Sequence, residues 1–274
     1  MKLFISPPFG NYLDFNNENI YSIKGSFTLK PRSGLFWQII KTLRYNFKEG
    51  GWQNKIGLRN PGIEWALQKY YNKTGNADGK SVTLYQGNRR QNHIISIAIM
   101  NKEELPEFNR LIPKDCNIEL NVSCPNVKEE KNANYKQEIY GSLNTFPNEN
   151  RKLCIVKLSP LDTIDDVTIL YEQSNIRQFH CSNTLPLEDG SGGLSGPKLR
   201  LYTTRLVKQI KEKYDDVEII AGGGIRSISD IFYYEAQGAN NFSVSTLCVN
   251  PIMFYMLYRD FTKHLDRSPR HLNQ

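Results

Sequence analysis

Eight short runs of apolar and β-branched residues recur along this chain, at 3–6, 20–27, 93–100, 117–123, 153–158, 176–182, 217–221 and 241–245. Most are continuously apolar rather than alternating, as expected of parallel strands covered on both faces. Helical patterns lie between them. Residues 163–173 space Ile164, Val167, Leu170 and Tyr171 along one face, and residues 197–214 do the same with Leu199, Tyr202, Leu206 and Ile210. Residues 228–237 follow a capping candidate, Ser227, and stop at Gly238. Strand and helix in repeated alternation mean parallel βαβ units. Eight such units predict a (β/α)8 barrel rather than an open doubly wound sheet. Such a barrel typically takes roughly 250 residues. The 274 residues are therefore expected to form one domain over 1–274.

Composition narrows the setting. The net charge is +7, but the basic residues are scattered without a long run, which reads as a solvated surface and not as a nucleic-acid patch. Five cysteines, at 116, 124, 154, 181 and 248, include no C-x-x-C pair, which argues for reduced thiols over a disulfide framework or a metal site. The four histidines are too dispersed to suggest a metal cluster. No stretch approaches the roughly 20 apolar residues of a membrane span. A cytoplasmic protein without a membrane partner is expected.

A barrel builds its site at the C-terminal ends of its strands. The polar and glycine residues collect at those ends: Gly25 and Ser26, Asn121 and Cys124, Lys157, Asn183 and Thr184, Gly222 to Gly224, and Ser245 and Thr246. Gly-Gly-Leu-Ser-Gly-Pro at 192–197 precedes a helix, and Ala-Gly-Gly-Gly-Ile at 221–225 follows a strand. Glycine lets backbone N–H groups approach a phosphate, and the last strands of a barrel are its usual phosphate site. A phosphorylated cofactor follows. Neither a G-x-G-x-x-G dinucleotide fingerprint nor a Walker loop is present.

Asn-Val-Ser-Cys-Pro-Asn at 121–126 is the most pointed segment. Its cysteine falls just past a strand end, and Asn121 and Asn126 offer uncharged amides suited to orienting a planar heterocycle. A thiol there can accept a proton if its surroundings lower its pKa. Cys116, Cys154 and Cys248 read as small buried hydrophobes, and Cys181, near a strand end, has no polar motif around it.

These motifs, in this order and spacing, resemble the dihydroorotate dehydrogenase family over residues 22–261. The resemblance implies an FMN-containing barrel that oxidises dihydroorotate to orotate in pyrimidine biosynthesis, of the soluble class with a cysteine base. Carried over, it makes Cys124 the base that takes the C5 proton while hydride leaves C6 for the flavin. Asn54, Gly57 and Leu58 match the N-x-x-G-L-x-N-P-G segment at 54–62, and with Asn121, Asn126, Asn183 and Thr184 would hold the substrate. Lys157 would stand beside the flavin N1–C2 edge and stabilise the charge that reduction places there. Gly25, Ser26, Asn121, Ser182, Ser195, Gly196, Gly223, Gly224, Ser245 and Thr246 would complete the FMN contacts. The resemblance also implies a homodimer, no metal, and an acceptor that is fumarate, NAD reached through a partner, or another oxidant.

The pattern departs in places. Relative to the family, the N-terminus is shortened, and the small-residue turn after the first strand reads Ser6-Pro7-Pro8, where proline removes a backbone donor. Gly25 stands where class members carry a lysine, with Lys24 one residue earlier. A one-residue step turns a strand side chain to the other face unless a bulge intervenes. The charged loop at 127–132 is expected to act as a lid. Two rival readings remain, a tRNA dihydrouridine synthase-like flavin enzyme and a degenerate non-catalytic barrel.

Overall fold

The computed structural model describes residues 1–71, 92–122 and 135–267. Its strands in chain order are β1 (Leu3–Ile5), β2 (Ile20–Phe27), β3 (Arg44–Asn46), β4 (Gly51–Asn54), β5 (His93–Ala98), β6 (Ile118–Asn121), β7 (Cys154–Leu158), β8 (Gln178–Cys181), β9 (Leu185–Pro186), β10 (Gly193–Ser195), β11 (Glu218–Gly222) and β12 (Asn241–Val244). The helices are α1 (Leu35–Thr42), α2 (Ile63–Ala66), α3 (Leu105–Leu111), α4 (Tyr135–Gly141), α5 (Ile164–Gln173), α6 (Leu199–Lys213), α7 (Ile228–Ala236) and α8 (Pro251–Arg267).

Eight of the strands close a barrel in the order β1-β12-β11-β8-β7-β6-β5-β2, and each pairing is parallel. These are the eight runs read from the sequence. The (β/α)8 expectation holds, and so do three helices. Thr163 and Asp166 form a reciprocal capping box at the start of α5, and Ser227 and Asp230 form another at α7.

Period-two alternation sorts the barrel side chains. Ile118, Leu120, Val156, Leu158, Phe179 and Ile219 turn outward into the main core with the helices. Inside, Phe4, Ile23, Ile94, Leu153, Ile155 and Ile220 form a separate apolar cluster that plugs the barrel. One step nearer the C-terminal ends, the same inward rows carry Ser6, Ser96, Glu119, Lys157, His180, Gly222 and Ser243. The interior is apolar below and polar above.

A second sheet was not foreseen. Strands β3-β4-β10-β9 form an antiparallel, four-stranded layer. Two of its strands come from the segment after β2 and two from the segment after β8. Each has two to four residues, too few for a hydrophobic period to register. The segment 192–197 is therefore a strand edge that ends in a tight turn, and not simply a loop.

Candidate functional site

An open cavity of about 550 Å³ lies at the C-terminal mouth of the barrel. Lys157 and His180 line its floor, Ser182, Asn183 and Thr184 one side, and Ser195, Gly196, Gly223, Gly224, Ser245 and Thr246 the end nearest the last strands. Residues proposed separately from five segments of sequence thus surround one space.

The glycine end has the shape of a cradle. A side chain on Gly223, at φ +99°, would put its Cβ 2.6 Å from Leu199 Cβ, and one on Gly224 would come within 3.1 Å of Pro197 Cα. The two glycine segments pack directly on one another, which leaves bare backbone facing the cavity. Tyr234 donates to the Gly223 carbonyl at 2.7 Å and Thr203 to the Gly222 carbonyl at 2.8 Å, so the turn is held from behind. Ser245 donates to the carbonyl of Pro7 at 2.8 Å, tying the last strand end to the first. Pro7 lines the cavity without a donor of its own, as its residue type requires.

A hydrogen-bonded chain crosses the barrel beneath the cavity. Asn183 Nδ2 donates to Asn121 Oδ1 at 3.1 Å, and Asn121 Nδ2 to Ser26 Oγ at 3.0 Å. Ser26 and Ser96 share a bond of 2.8 Å, and Ser96 donates to Glu119 Oε1 at 2.8 Å. Glu119 Oε2 lies 2.7 Å from His180 Nδ1, and Lys157 Nζ is 3.8 Å from Oε1. Glu119 is wholly buried. Burial pushes its pKa up, but the Lys157 charge, the His180 hydrogen bond and the Ser96 hydroxyl outweigh that and hold the carboxyl at about 2. Burial lowers the His180 pKa against the opposing pull of Glu119. A neutral imidazole therefore sits beside an ionised carboxylate.

Glu119 and His180 carried no role in the sequence reading. A signal was available: Glu119 shares its strand face with Asn121, and a charged residue between Ile118 and Leu120 in a buried strand demands a partner.

Asn54, Gly57 and Leu58 stand outside the cavity lining. Asn54 ends β4 and pairs with Gly193 of β10, whose neighbour Ser195 does line the cavity. Gly57 and Leu58 both have positive φ, at 69° and 56°. Asn60 braces that turn, donating to the Leu58 carbonyl at 2.6 Å and accepting from Gly62 N at 2.9 Å. Gly25 is also off the lining, and a Cβ there would come within 2.5 Å of the Ser96 carbonyl. Cys124 and Asn126, with the expected lid at 127–132, lie outside the described residues.

The register of β2 against β5 does shift between Lys24 and Phe27. The irregularity falls after Lys24 and leaves its direction unchanged. Lys24 Nζ donates to the Gly10 carbonyl at 2.6 Å and to Asp14 Oδ1 at 2.5 Å, away from the cavity. Cys181 is fully buried, and burial pushes its thiol up, which leaves it the inert reading. Cys116, Cys154 and Cys248 are also raised by burial, to about 12 each. Among the described residues no His, Cys, Asp and Glu group has metal-binding geometry, and no helix is long and apolar enough to cross a membrane.

A family model described as dihydroorotate dehydrogenase matches residues 11–265. The dihydroorotate dehydrogenase B (NAD(+)) catalytic subunit of Petrotoga mobilis is 30% identical over 82% of this chain and 75% of its own length. That of Halalkalibacterium halodurans is 27% identical over 87% and 78%. A putative dihydroorotate dehydrogenase A (fumarate) of Aquifex aeolicus is 29% identical over 72% and 66%. Among solved structures, ligand-free DHODH from Eimeria tenella covers 98% of this chain and 85% of its own, with a TM-score of 0.70 at 17% identity, a likeness of fold.

Proposed function

We propose, from the premise that this chain belongs to the dihydroorotate dehydrogenase family, that it oxidises dihydroorotate to orotate in pyrimidine biosynthesis. It is an oxidoreductase. Neither rival reading is favoured: the family model spans most of the barrel. The observation that carries the reading is one cavity lined by a glycine cradle, Lys157 and Asn183, with the Asn183 amide bonded to Asn121 behind it.

FMN is the cofactor this donor set fits. The bare backbone at Gly196, Gly223 and Gly224, with Ser195, Ser245 and Thr246, suits a terminal phosphate. Lys157, Ser182 and Asn121 suit the polar edge of a flavin ring. When bound, FMN would accept the hydride from C6, and with it the two electrons that the oxidation releases.

The protein's part is binding and proton handling. Asn183 and Asn121, locked to each other and with Asn183 Oδ1 held by Thr184 N at 2.9 Å, present amides with little freedom to turn. Asn126 and Thr184, with Asn54, Gly57 and Leu58, would complete the substrate contacts in this reading. Cys124 takes the C5 proton as a thiolate. Lys157, which lines the cavity, would supply positive charge to stabilise the negative charge of a reduced flavin bound there. Gly25 and Ser26 would add to the FMN contacts, with Ser26 held by its bond to Ser96.

A single domain over 1–274 is the reading supported by the cradle, where Gly224, after barrel strand β11, comes against Pro197, which follows β10 of the small sheet. Phe36, Trp37 and Ile40, exposed on α1, support a homodimer. The names of the Petrotoga and Halalkalibacterium relatives support NAD+ as terminal acceptor through a further subunit. The expected setting is the cytoplasm.

The test is an anaerobic half-reaction. FMN-loaded protein mixed with dihydroorotate bleaches in the visible, and Cys124→Ala slows the bleaching by at least about 100-fold at neutral pH. Bound FMN that stays oxidised would overturn the substrate assignment.

A further inference from the structure

Glu119 is a wholly buried charge in the barrel interior, and it is not among the residues that line the cavity. Its surroundings fix three things at once. The Oε2 atom faces His180 Nδ1 at 2.7 Å. A carboxylate held ionised accepts only, so Nδ1 carries the proton of that bond. In a neutral ring Nε2 is then bare. His180 lines the cavity, and its Nε2 lies 3.1 Å from the point where a Cβ on Gly222 would stand. Glycine at 222 leaves that nitrogen uncovered, and it has no hydrogen-bond partner among the described residues.

The Oε1 atom takes the Ser96 hydroxyl at 2.8 Å and stands 3.8 Å from Lys157 Nζ. That gap exceeds a hydrogen bond, but in a dry interior it is a close electrostatic contact. Lys157 is thus partly balanced from below, while its ammonium remains beside the cavity.

We propose that Glu119 and His180 are a positioning pair beneath the flavin site. Glu119 holds His180 as the neutral Nδ1–H tautomer, which offers Nε2 as an acceptor to a donor on the flavin, and it limits how much of the Lys157 charge the flavin feels. This rests on the flavin reading given above, and extends it to the setting of the cofactor's redox poise.

The groups that face His180 are few. Glu119 approaches from β6 and Lys157 from β7, while Gly222 of β11 and Ser243 of β12 are uncharged. Protonation of the ring would place a second cation beside Lys157 in a buried site, so the pair is not a pH switch across the neutral range.

Two measurements separate this proposal from the flavin reading. The first uses protein without flavin: long-range 1H–15N spectra of 15N-histidine-labelled protein. His180 is expected as the Nδ1–H tautomer, with ring shifts constant from about pH 5 to pH 8. An Nε2–H tautomer, or titration in that window, overturns the proposal whatever the protein binds. The second is the midpoint potential of bound FMN in wild type and Glu119→Gln. Removing the carboxylate takes one negative charge from beside Lys157, so the reduced flavin gains about tenfold over the oxidised form, an upward shift of about 30 mV for a two-electron couple. An unchanged potential in folded, FMN-bound Glu119→Gln overturns the charge-setting role, since a merely structural carboxylate would lower stability and leave the potential alone. Wild-type protein that binds no FMN would overturn the flavin reading and leave the tautomer result standing.

Discussion

Lys157 and Lys24 each have a carboxylate and a histidine for company: Glu119 and His180 for the first, Asp14 and His93 for the second. The chemical types are the same, and position separates the outcomes. Lys24 is wholly buried, bonded to Asp14 at 2.5 Å and the Gly10 carbonyl at 2.6 Å, with its ammonium 5.4 Å from the centre of the Tyr70 ring. Its charge is met at contact distance in the outer shell. Asp14 in turn is 59% exposed and bonded to His93 at 2.8 Å, so that trio opens onto water. Lys157 is 3.8 Å from a carboxylate that has no solvent at all, and its ammonium borders the cavity. A charge set in the outer shell stabilises the shell; a charge that lines a ligand space can also act on the ligand.

The largest effect should come from Lys157→Met. It is expected to slow flavin reduction by dihydroorotate at least about 100-fold, the scale of losing one charge-stabilising group, whereas Lys24→Met should stay within about threefold of wild type. Anaerobic stopped-flow absorbance compares the two directly. Equal losses would erase the distinction drawn between them.

The two carboxylates differ in the same way under acid. Glu119 has a folded pKa of about 2, below the ordinary carboxyl value, so the stability it contributes is fully present above about pH 5 and is lost as pH falls toward 2. The amount is roughly 3 kcal/mol. Asp14 is also lowered, with partial burial outweighed by the Lys24 hydrogen bond and the His93 charge, but water screens it. Urea titrations from pH 7 to pH 3 should therefore show a shallower pH dependence for Glu119→Gln than for Asp14→Asn. The reverse order would make Asp14 the stronger acid-sensitive contact.

A cradle substitution sharpens the picture at the other end of the cavity. Gly223→Ala places a Cβ against Leu199 at a positive φ, and should cost about 1–3 kcal/mol and weaken FMN binding at least about tenfold. Thermal melts and flavin fluorescence titrations read both.

The smallest effect is the stability cost of Lys24→Met. Removing one partner of a fully buried ion pair typically costs about 3–5 kcal/mol. Asp14 would be left in water rather than stranded, so about 1–2 kcal/mol is expected from chemical denaturation.

What the sequence could reveal follows from the same geometry. Strands such as 153–158 and 217–221 were legible because burial on both faces writes an uninterrupted apolar run. Lys157, Asn183, Gly223 and Ser245 were legible as residues of one cavity because each sits where such a run ends. The sheet of β3, β4, β9 and β10 was not, since strands of two to four residues take their structure from a partner far along the chain. Glu119 and His180 were missed for a related reason. Their meaning lies in a contact between β6 and β8, across β7, that only the barrel closure creates. The parity argument for Lys24 succeeded because strand alternation is local, and the irregularity at Gly25–Ser26 comes too late to reverse it.

The most direct test of the account is the midpoint potential of FMN bound to Lys157→Met and to Lys24→Met, measured side by side with wild type. The account predicts a fall of about 30 mV or more for Lys157→Met, a tenfold loss of reduced-flavin stabilisation, and no change for Lys24→Met. A shift in Lys24→Met that equals or exceeds that of Lys157→Met would contradict it, and would move the functional cation from the floor of the cavity to the shell.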